Sequence, residues 1–296
     1  MNNPKLTSPT EVTRLLTKYD FKCKKKWGQN FLVDQNTLQI IIEALKLTPE
    51  DHLLEIGTGI GTLTSALSPL VKQVISFEKD NKLAPLLNES LSSLNNIEII
   101  FEDIMNFDLA KFLKEKREKG ERIEKIVSNL PYYISLPLIR KILELNKYLK
   151  VAVLLVQREV GERLIAKAGS KAYGILSVLT QYYSQPEKIH LVPSTVFYPQ
   201  PKVNSMIIRL NIYREPPLSV GDEKLFLDIV KASFQQRRKK LINSLSHYFY
   251  GKIDKPGIEK VLNRLELDKE RRGETLTLEE FARLSIMMGE NMDQKN

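Results

Sequence analysis

The chain has 296 residues, of which 42% are hydrophobic and 27% charged, a composition typical of a globular protein with one large domain or a main domain and an appendage. Its 45 Lys and Arg residues exceed its 36 Asp and Glu residues. The resulting net charge of +9 favours a polyanionic partner, although an ordinary basic surface is the alternative. A lone cysteine, Cys23, excludes an internal disulfide, and three scattered histidines argue against a metal site.

The ends of the chain and its hydrophobic segments bear on location and assembly. No segment approaches the roughly 20 apolar residues of a membrane span. The N-terminus lacks the apolar core of a signal peptide, so we expect a cytoplasmic protein. No exposed apolar stripe suggests a coiled-coil seam, so we expect a monomer. Residues 1–21 have weak periodicity and are predicted to form a flexible tail.

Segments typical of strands and helices alternate from about Asn36 onward. Helical spacing of apolar residues is clear in TLQIIIEALKL and TLTSALSPL. The strand candidates are, in chain order, HLLEIG, QVISFE, IEIIFED, KIVSNL, VAVLLVQ and VNSMIIRLNI. This alternation is typical of a parallel sheet with helices on both faces, so it predicts a Rossmann-like α/β domain.

The pattern changes at residues 213–217 (YREPP), where tandem prolines disfavour both helix and sheet. All segments beyond it have helical periodicity: EKLFLDIVKASFQQ, KKLINSLSHYF, GIEKVLNRLEL and TLEEFARLSIMM. The sequence therefore predicts an α/β domain over residues 22–212 and a small all-helical domain over residues 213–296.

The turn after the first predicted strand is rich in glycine. Gly57 and Gly59 belong to a G-x-G-x-G segment, which lets a ligand lie against main-chain N–H groups. Glu78 ends the next strand, where a carboxylate can accept both ribose hydroxyls of an adenosine. Asp103 ends the third strand, where it can accept a hydrogen bond from an adenine amino group.

Each of these features also has a simpler interpretation. A glycine-rich turn need not hold a ligand, and an acid at a strand end is often a helix cap. Two acids at successive strand ends after such a turn favour a nucleoside site. The G-x-G-x-G spacing differs from the G-x-G-x-x-G fingerprint of dinucleotide sites, which favours S-adenosylmethionine over NAD.

The fourth predicted strand ends in NLPYY. Its Asn129 side-chain oxygen and Leu130 carbonyl can accept the hydrogens of an exocyclic amine, while Tyr132 can stack on a flipped-out base. That arrangement suits methylation of adenine N6, whose lone pair is delocalised into the ring. The product is acidic enough to lose its proton to water, so no histidine base is required. The alternative is an N-x-P turn capped by packed tyrosines.

Ten blocks, in order from about Lys24 to Phe281, resemble the KsgA family of ribosomal RNA adenine dimethyltransferases. They are KKKWGQNFLVD, EIGTGIGTLT, the acid of FEKD, the ED of Asp103, NLPYYIS, LVQREVGERL, KAYGILSVLTQYY, VPSTVFYPQPKVNSMIIRL, FQQRRKKLINSL and LTLEEFARLS. This pattern is more specific than a generic methyltransferase fold. The chain departs from it at Trp27, where a smaller residue is expected, and at Thr58, where proline is expected.

The resemblance implies a Rossmann-like class I methyltransferase domain and further site residues. Asn30 and Leu32 would line the methionine end of the cofactor site. Asn129 would lie between cofactor and target, and Phe197 would stack on the target adenine opposite Tyr132. From its chemistry alone, Phe197 is more typical of a core residue. The roles inferred above for Gly57, Gly59, Glu78 and Asp103 match those that the resemblance implies.

Two basic clusters are candidates for RNA contact. One contains Lys24 and Lys25, and the resemblance assigns the other, Arg237-Arg238-Lys239, to RNA phosphates. The implied substrate is a pair of adjacent adenines in a hairpin loop near the 3′ end of small-subunit rRNA, each receiving two methyl groups. The implied partner is a pre-ribosomal (pre-30S) particle, with a further role in small-subunit assembly.

Three alternatives remain at this point. The related family that dimethylates large-subunit rRNA and confers macrolide resistance would share fold, cofactor and chemistry, and only the substrate RNA separates the two. A non-catalytic assembly or transcription factor on the same fold is disfavoured because every proposed contact is present, Asn129 included. A hydride-transferring oxidoreductase is disfavoured by the glycine spacing and by NLPY.

Overall fold

The computed structural model describes residues 5–24, 27–131, 134–236 and 239–293. The strands in this part of the chain are β1 (Phe31–Leu32), β2 (His52–Ile56), β3 (Gln73–Phe77), β4 (Ile97–Ile100), β5 (Ile123–Asn129), β6 (Val151–Gln157), β7 (Ser184–Val192), β8 (Phe197–Tyr198) and β9 (Ser205–Ile212). The helices are α1 (Pro9–Lys18), α2 (Gln35–Leu45), α3 (Thr62–Leu67), α4 (Ala84–Ser90), α5 (Leu109–Glu118), α6 (Ser135–Leu143), α7 (Arg158–Leu164), α8 (Ile175–Tyr183), α9 (Glu223–Gln235), α10 (Leu241–Tyr248), α11 (Lys255–Arg264) and α12 (Leu278–Asp293). No helix among these residues is long and apolar enough to cross a membrane.

Seven strands form one sheet, in the order β4-β3-β2-β5-β6-β9-β7. The first five in that order are parallel to their neighbours, and β9 pairs antiparallel with β6. All five residues of β2 are buried, as expected for a parallel strand covered on both faces. The sheet confirms the predicted α/β fold, and all six strand candidates from the sequence are strands of it.

The sheet order places a crevice beside the end of β2. This strand lies between β3 and β5, so the direction in which strands are added reverses there, and ligands of open α/β sheets bind outside such a point. Gly57 follows β2 directly and Glu78 follows β3 directly, while Asn129 is the last residue of β5. Asp103 lies three residues beyond Ile100, the end of β4.

The predicted flexible tail is wrong for most of its length. Residues 9–18 form helix α1, whose Val12, Leu15 and Leu16 are buried. These side chains join an apolar cluster with Leu83 and Leu87. The spacing of Val12, Leu15 and Leu16 is i, i+3 and i+4, an amphipathic signal that is short but sufficient to place one face of the helix in the core.

The chain divides into two compact units, Met1–Gly161 with Gln185–Arg214 and Glu162–Ser184 with Glu215–Asn296. The predicted boundary near residue 213 lies close to one division, but a single cut misses residues 162–184. These residues carry α8, which packs with the C-terminal helices: the ring of Tyr182 lies 4.8 Å from that of Phe226. Aromatic packing therefore assigns α8 to the helical unit, although it precedes β7 in the chain.

Candidate functional site

A cleft lies at the carboxyl ends of the parallel strands, where ligands of open α/β sheets bind. Side chains from three strand ends meet in it, namely Glu78, Asp103 and Asn129. The other lining residues are Trp27, Gly28, Gln29, Asn30, Phe31, Ile56, Gly57, Gly59, Phe77, Lys79, Leu83, Glu102, Ile104, Pro131 and Ile134. The residues that the sequence placed around a nucleoside are thus brought together.

The glycine turn is fixed to the neighbouring strand by its backbone. The N–H groups of Gly57 and Thr58 donate to the Phe77 carbonyl, at 2.8 and 3.2 Å. Gly57 and Gly59 have φ angles of +87° and +58°, which side chains rarely tolerate. A Cβ on Gly59 would also lie 3.1 Å from the Phe31 ring. Glycine is therefore required here for both conformation and space.

Glu78 is held by main-chain donors at the end of β3. Its Oε2 accepts from the Gly59 N–H and its Oε1 from the Asp80 N–H, each at 2.8 Å. Burial raises the pKa of Glu78, although these N–H groups stabilise the charged form. Each carboxylate oxygen keeps a further lone pair, so Glu78 can still accept hydroxyl groups of a ligand.

Asp103 is paired with Lys79, a residue that the sequence analysis did not single out. The Lys79 Nζ lies 2.7 Å from Asp103 Oδ2, and the Met105 N–H donates to Oδ1 at 3.0 Å. Burial of Asp103 disfavours its charge, but Lys79 and Met105 outweigh burial and lower the pKa of that carboxyl. Lys79 directly follows Glu78 in the sequence, and this adjacency could have indicated that Lys79 lies at the cleft.

Asn129 is oriented by the N-terminal loop. Its Nδ2 donates to the main-chain carbonyl of Asn30 at 2.9 Å. A carbonyl oxygen only accepts hydrogen bonds, so the Nδ2 atom must face Asn30 and the Oδ1 atom is left to accept from a ligand. The Asn30 side chain in turn donates to the Gly28 carbonyl at 3.1 Å. The two asparagines are therefore one unit, and both line the cleft.

The backbone around Asn129 is fixed to its neighbours. Ser128 donates its hydroxyl to the Ile56 carbonyl at 2.6 Å, and the Leu130 N–H donates to the Leu155 carbonyl at 3.0 Å. The Leu130 side chain is buried and Leu130 is not among the residues that line the cleft, so the acceptor role of its carbonyl stays a prediction. Tyr132, predicted to stack on a target base, lies outside the described residues.

Two residues assigned by resemblance do not face the cleft. Leu32 and Phe197 are cross-strand partners in the β1–β8 ribbon, and both side chains are buried in the apolar core. Phe197 is 4% exposed. The Leu32 side chain therefore packs away from the cleft, which its neighbour Phe31 lines, and the contact of Leu32 with the cofactor stays a prediction that only its main chain could fulfil. The Phe197 ring packs within the apolar cluster, so its stacking on the target adenine stays a prediction.

The predicted RNA-binding residues have different outcomes. The Lys24 Nζ forms an ion pair with the buried Asp80, at 2.9 Å from its carboxylate. An RNA contact of Lys24 would compete with this ion pair and stays a prediction. Lys239 is exposed to solvent, as a phosphate contact requires. Lys25, Arg237 and Arg238 lie outside the described residues.

Comparison with known proteins defines the family. The model of the family described as ribosomal RNA adenine dimethylase matches residues 20–284. The chain belongs to this family. Ribosomal RNA small subunit methyltransferase A from Geobacillus sp. (strain WCH70) is 44% identical over 284 residues, covering 96% of this chain and 97% of the relative. The protein of the same name from Shouchella clausii (strain KSM-K16) is 42% identical, covering 96% and 95%.

Solved structures agree with the assignment to the ribosomal RNA adenine dimethylase family. A dimethyladenosine transferase from Plasmodium falciparum is 26% identical with a TM-score of 0.74, and covers 88% of this chain and 98% of its own. The 23S rRNA methyltransferase ErmE is 27% identical with a TM-score of 0.65, and covers 88% and 100%. The chain therefore has the class I methyltransferase fold that the sequence predicted.

As a member of the ribosomal RNA adenine dimethylase family, the chain is an S-adenosylmethionine-dependent methyltransferase. The residues of the cleft fit this cofactor. Gly57 and Gly59 leave main chain open to a ligand, and Glu78 and Asp103 are acceptors placed for a nucleoside. The aromatic and aliphatic walls of the cleft, including Trp27, Ile104 and Ile134, were not predicted from the sequence. Ile104 directly follows Asp103 and Ile134 directly follows NLPYY, and this adjacency could have indicated that both isoleucines line the cleft.

Proposed function

We propose that this enzyme dimethylates N6 of two adjacent adenines in the 3′-terminal hairpin loop of small-subunit rRNA. The observation that carries the proposal is the hydrogen bond from Asn129 Nδ2 to the Asn30 carbonyl, which leaves Oδ1 to accept from a ligand in a cleft that Glu78 and Asp103 also line. The names of the relatives, small-subunit methyltransferases 42–44% identical to this chain, support the choice of RNA.

We assign the cofactor contacts within the cleft as follows. Glu78 accepts the ribose hydroxyls and Asp103 accepts the adenine amino group, since each carboxylate keeps acceptor capacity beside its present partners. Gly57 and Gly59 form the floor, and Asn30 lies at the methionine end. The bound cofactor supplies a methyl group on a sulfonium, which is electrophilic enough to be taken by an amine.

The protein's part in the transfer is to prepare and place the amine. Asn129 Oδ1 and the Leu130 carbonyl accept the two N6 hydrogens and draw the nitrogen toward a tetrahedral form. The freed lone pair then points along the line of displacement. Pro131 restricts the turn that aims the Leu130 carbonyl. The proton of the product leaves to water, and the lining residues among the described chain include no histidine.

The proposed substrate is a pre-30S particle, acted on by a monomer. Lys239 is exposed beside Arg237 and Arg238, and we assign this basic segment to rRNA phosphates, which position the particle without reading bases. Unpaired loop bases are accessible to a flipping enzyme at lower cost than bases in a duplex, which suits a hairpin-loop target. A contribution to small-subunit assembly would follow from binding the particle before it is complete.

The test is methylation with labelled S-adenosylmethionine of small subunits from a strain that lacks the modification, with large subunits as the comparison RNA. The expected result is N6,N6-dimethyladenosine near the 3′ end of small-subunit rRNA. Asn129→Ala protein should lose about 100-fold or more in rate, as loss of a transition-state hydrogen-bonding group does. Label on large-subunit rRNA would replace the proposal with the activity named for ErmE. No label on either RNA would contradict it.

A further inference from the structure

Trp27 is the one tryptophan of the sequence, and it lines the cleft from the N-terminal side. It directly precedes the loop that carries Gly28, Gln29 and Asn30, all of which line the same cleft. An indole is the largest apolar surface that a single side chain can offer, and it stacks well on other flat rings. From this position the indole can cover a ligand that is bound in the cleft.

Two ammonium groups lie near the Trp27 ring. The Lys24 Nζ is 3.7 Å from the ring centroid and the Lys79 Nζ is 5.6 Å from it. Both distances fall within the range of cation–π attraction. Lys79 is also the partner of Asp103, at 2.7 Å. The indole is thus attached, through Lys79, to the acid assigned to the adenine amino group.

The second cation, Lys24, is also held by an ion pair. The Lys24 Nζ lies 2.9 and 3.0 Å from the two carboxylate oxygens of Asp80, which is 2% exposed. Gln29 also donates to Asp80, at 3.0 Å, and accepts from the Lys24 N–H at 2.7 Å. Asp80 in turn donates its N–H to Glu78, the acid assigned to the ribose. Cation–π contacts, ion pairs and hydrogen bonds therefore connect the indole to Asp103 and Glu78, the two acids assigned to the nucleoside.

We propose that Trp27 is a cofactor-binding residue that covers the adenosine end of S-adenosylmethionine, held in place by Lys24. The indole replaces water over the nucleoside, and the Lys24–Asp80 pair keeps the ring in the wall of the cleft before the cofactor arrives. Preorganisation of this kind increases affinity because less side-chain freedom is lost on binding. The proposal rests on the proposed function for the assignment of Glu78 and Asp103 to the nucleoside.

The first test uses the emission of Trp27 in the full-length protein, which needs no label because the chain has no other tryptophan. We expect S-adenosylhomocysteine and adenosine each to change the emission, since both carry the nucleoside, and methionine to leave it unchanged. The proposal is overturned if S-adenosylhomocysteine binds by calorimetry without changing the emission. It is also overturned if methionine alone reproduces the change.

The second test uses substitutions and calorimetry. Trp27→Leu should raise the Kd for S-adenosylhomocysteine about tenfold, and Trp27→Phe less, because a benzene ring retains part of the stacking. Lys24→Met should also raise the Kd, and the exposed Lys82→Met is the matched control. In steady-state assays the KM for S-adenosylmethionine should rise in Trp27→Leu while kcat changes little. An unchanged Kd in folded Trp27→Leu protein would overturn the proposal.

Failure of this inference can be separated from failure of the proposed function. A protein that binds S-adenosylhomocysteine with a change in emission, but methylates no ribosomal subunit, leaves Trp27 as a cofactor residue and contradicts the RNA substrate. If the protein methylates small subunits, and folded Trp27→Leu protein binds S-adenosylhomocysteine with the wild-type Kd, the proposed function holds and Trp27 is not a cofactor-binding residue. Thermal melts of both Trp27 variants establish that the compared proteins are folded.

Discussion

The side-chain Nδ2 of Asn129 donates a 2.9 Å hydrogen bond to the main-chain carbonyl of Asn30, which lies 99 residues earlier in the chain. One amide thus has two tasks. Its nitrogen fixes the N-terminal loop against the end of β5, and its oxygen is left to accept a hydrogen bond from a ligand. The role proposed for Asn129 would couple cofactor binding to base binding through this single side chain.

Substitution of Asn129 by Asp separates these two tasks. Aspartate keeps acceptor oxygens but has no donor for Asn30, and its charge faces the Asn30 carbonyl oxygen. We expect Asn129→Asp to lose about 100-fold or more in methylation and also to bind S-adenosylhomocysteine more weakly. Methylation rate and calorimetric Kd are the measurements. The control is Asn263→Asp, on the exposed side of α11. Wild-type activity in Asn129→Asp would show that the Asn30 contact is dispensable.

Substitution of Asp103 by Asn tests the proposed adenine ligand. The lowered pKa of Asp103 keeps it charged at neutral pH, so the wild type offers a full carboxylate to the amino group. We expect Asp103→Asn to raise the Kd for S-adenosylhomocysteine by about tenfold, the usual worth of a hydrogen bond to a charged group. Calorimetry measures this, and Glu115→Gln on the solvent side of α5 serves as the control. Equal Kd values for wild type and Asp103→Asn would show that Asp103 does not bind the adenine amino group.

Glu55 predicts a pH dependence of stability. This residue of β2 is fully buried, and it accepts hydrogen bonds from Thr64 at 2.5 Å and Ser76 at 2.8 Å. Its Oε1 has no partner among the described residues. Burial raises the pKa of Glu55 from 4.5 to about 7. The folded state therefore holds a proton that the unfolded state releases near pH 4.5, and stability falls as pH rises from about 4.5 to about 7.

The test of Glu55 is the free energy of unfolding in urea at pH 5 and pH 8. Glu55→Gln matches the protonated side chain, so the two proteins should be similar at pH 5. By pH 8 the variant should be more stable by roughly 3 kcal/mol, following the size of the pKa shift. Glu118→Gln, which alters an exposed carboxyl on α5, should leave the wild-type profile unchanged. Parallel profiles for wild type and Glu55→Gln would contradict the prediction.

Phe197 tests whether burial or stacking determines the role of the ring. Because the side chain is buried beside Leu32 and Val192, Phe197→Ala should destabilise the fold by about 3–5 kcal/mol. Phe197→Leu should recover most of that stability. If packing is the whole role, Phe197→Leu should also keep near-normal kcat/KM for the small subunit. A folded Phe197→Leu protein with a large loss of kcat/KM would instead support stacking on the base.

The α/β fold could be predicted because its signals are local. Continuous apolar runs such as VAVLLVQ, and glycines at a strand end, reflect burial and backbone strain in their own neighbourhood. The position of β9 between β6 and β7 could not be predicted, because it depends on pairing between segments far apart in sequence. The β1–β8 ribbon was missed for the same reason, since two-residue strands carry no period.

The candidate site could also be predicted only in part from the sequence. Glu78, Asp103 and Asn129 could be predicted because parallel strands deliver their ends to one edge of the sheet. Which side chain of the two-residue strand β1 points toward the cleft could not be predicted: Phe31 lines the cleft, and the Leu32 side chain packs in the apolar core. The role of Lys24 was also hidden, because its partner Asp80 lies 56 residues away. Charge counting cannot distinguish an ion pair from a free cation.

The interleaving of the two units constrains how the protein can be made and cut. Residues 162–184, which begin within α7, contribute α8 to the helical unit, whose remaining helices are synthesised only after residue 215. A fragment that begins at residue 215 would lack Tyr173 and Tyr182, and would leave the rings of Phe234 and Phe226 without these neighbours. During synthesis α8 must therefore remain without its packing partners until the C-terminal helices have been made, and a fragment that carries the whole helical unit must include both of its segments.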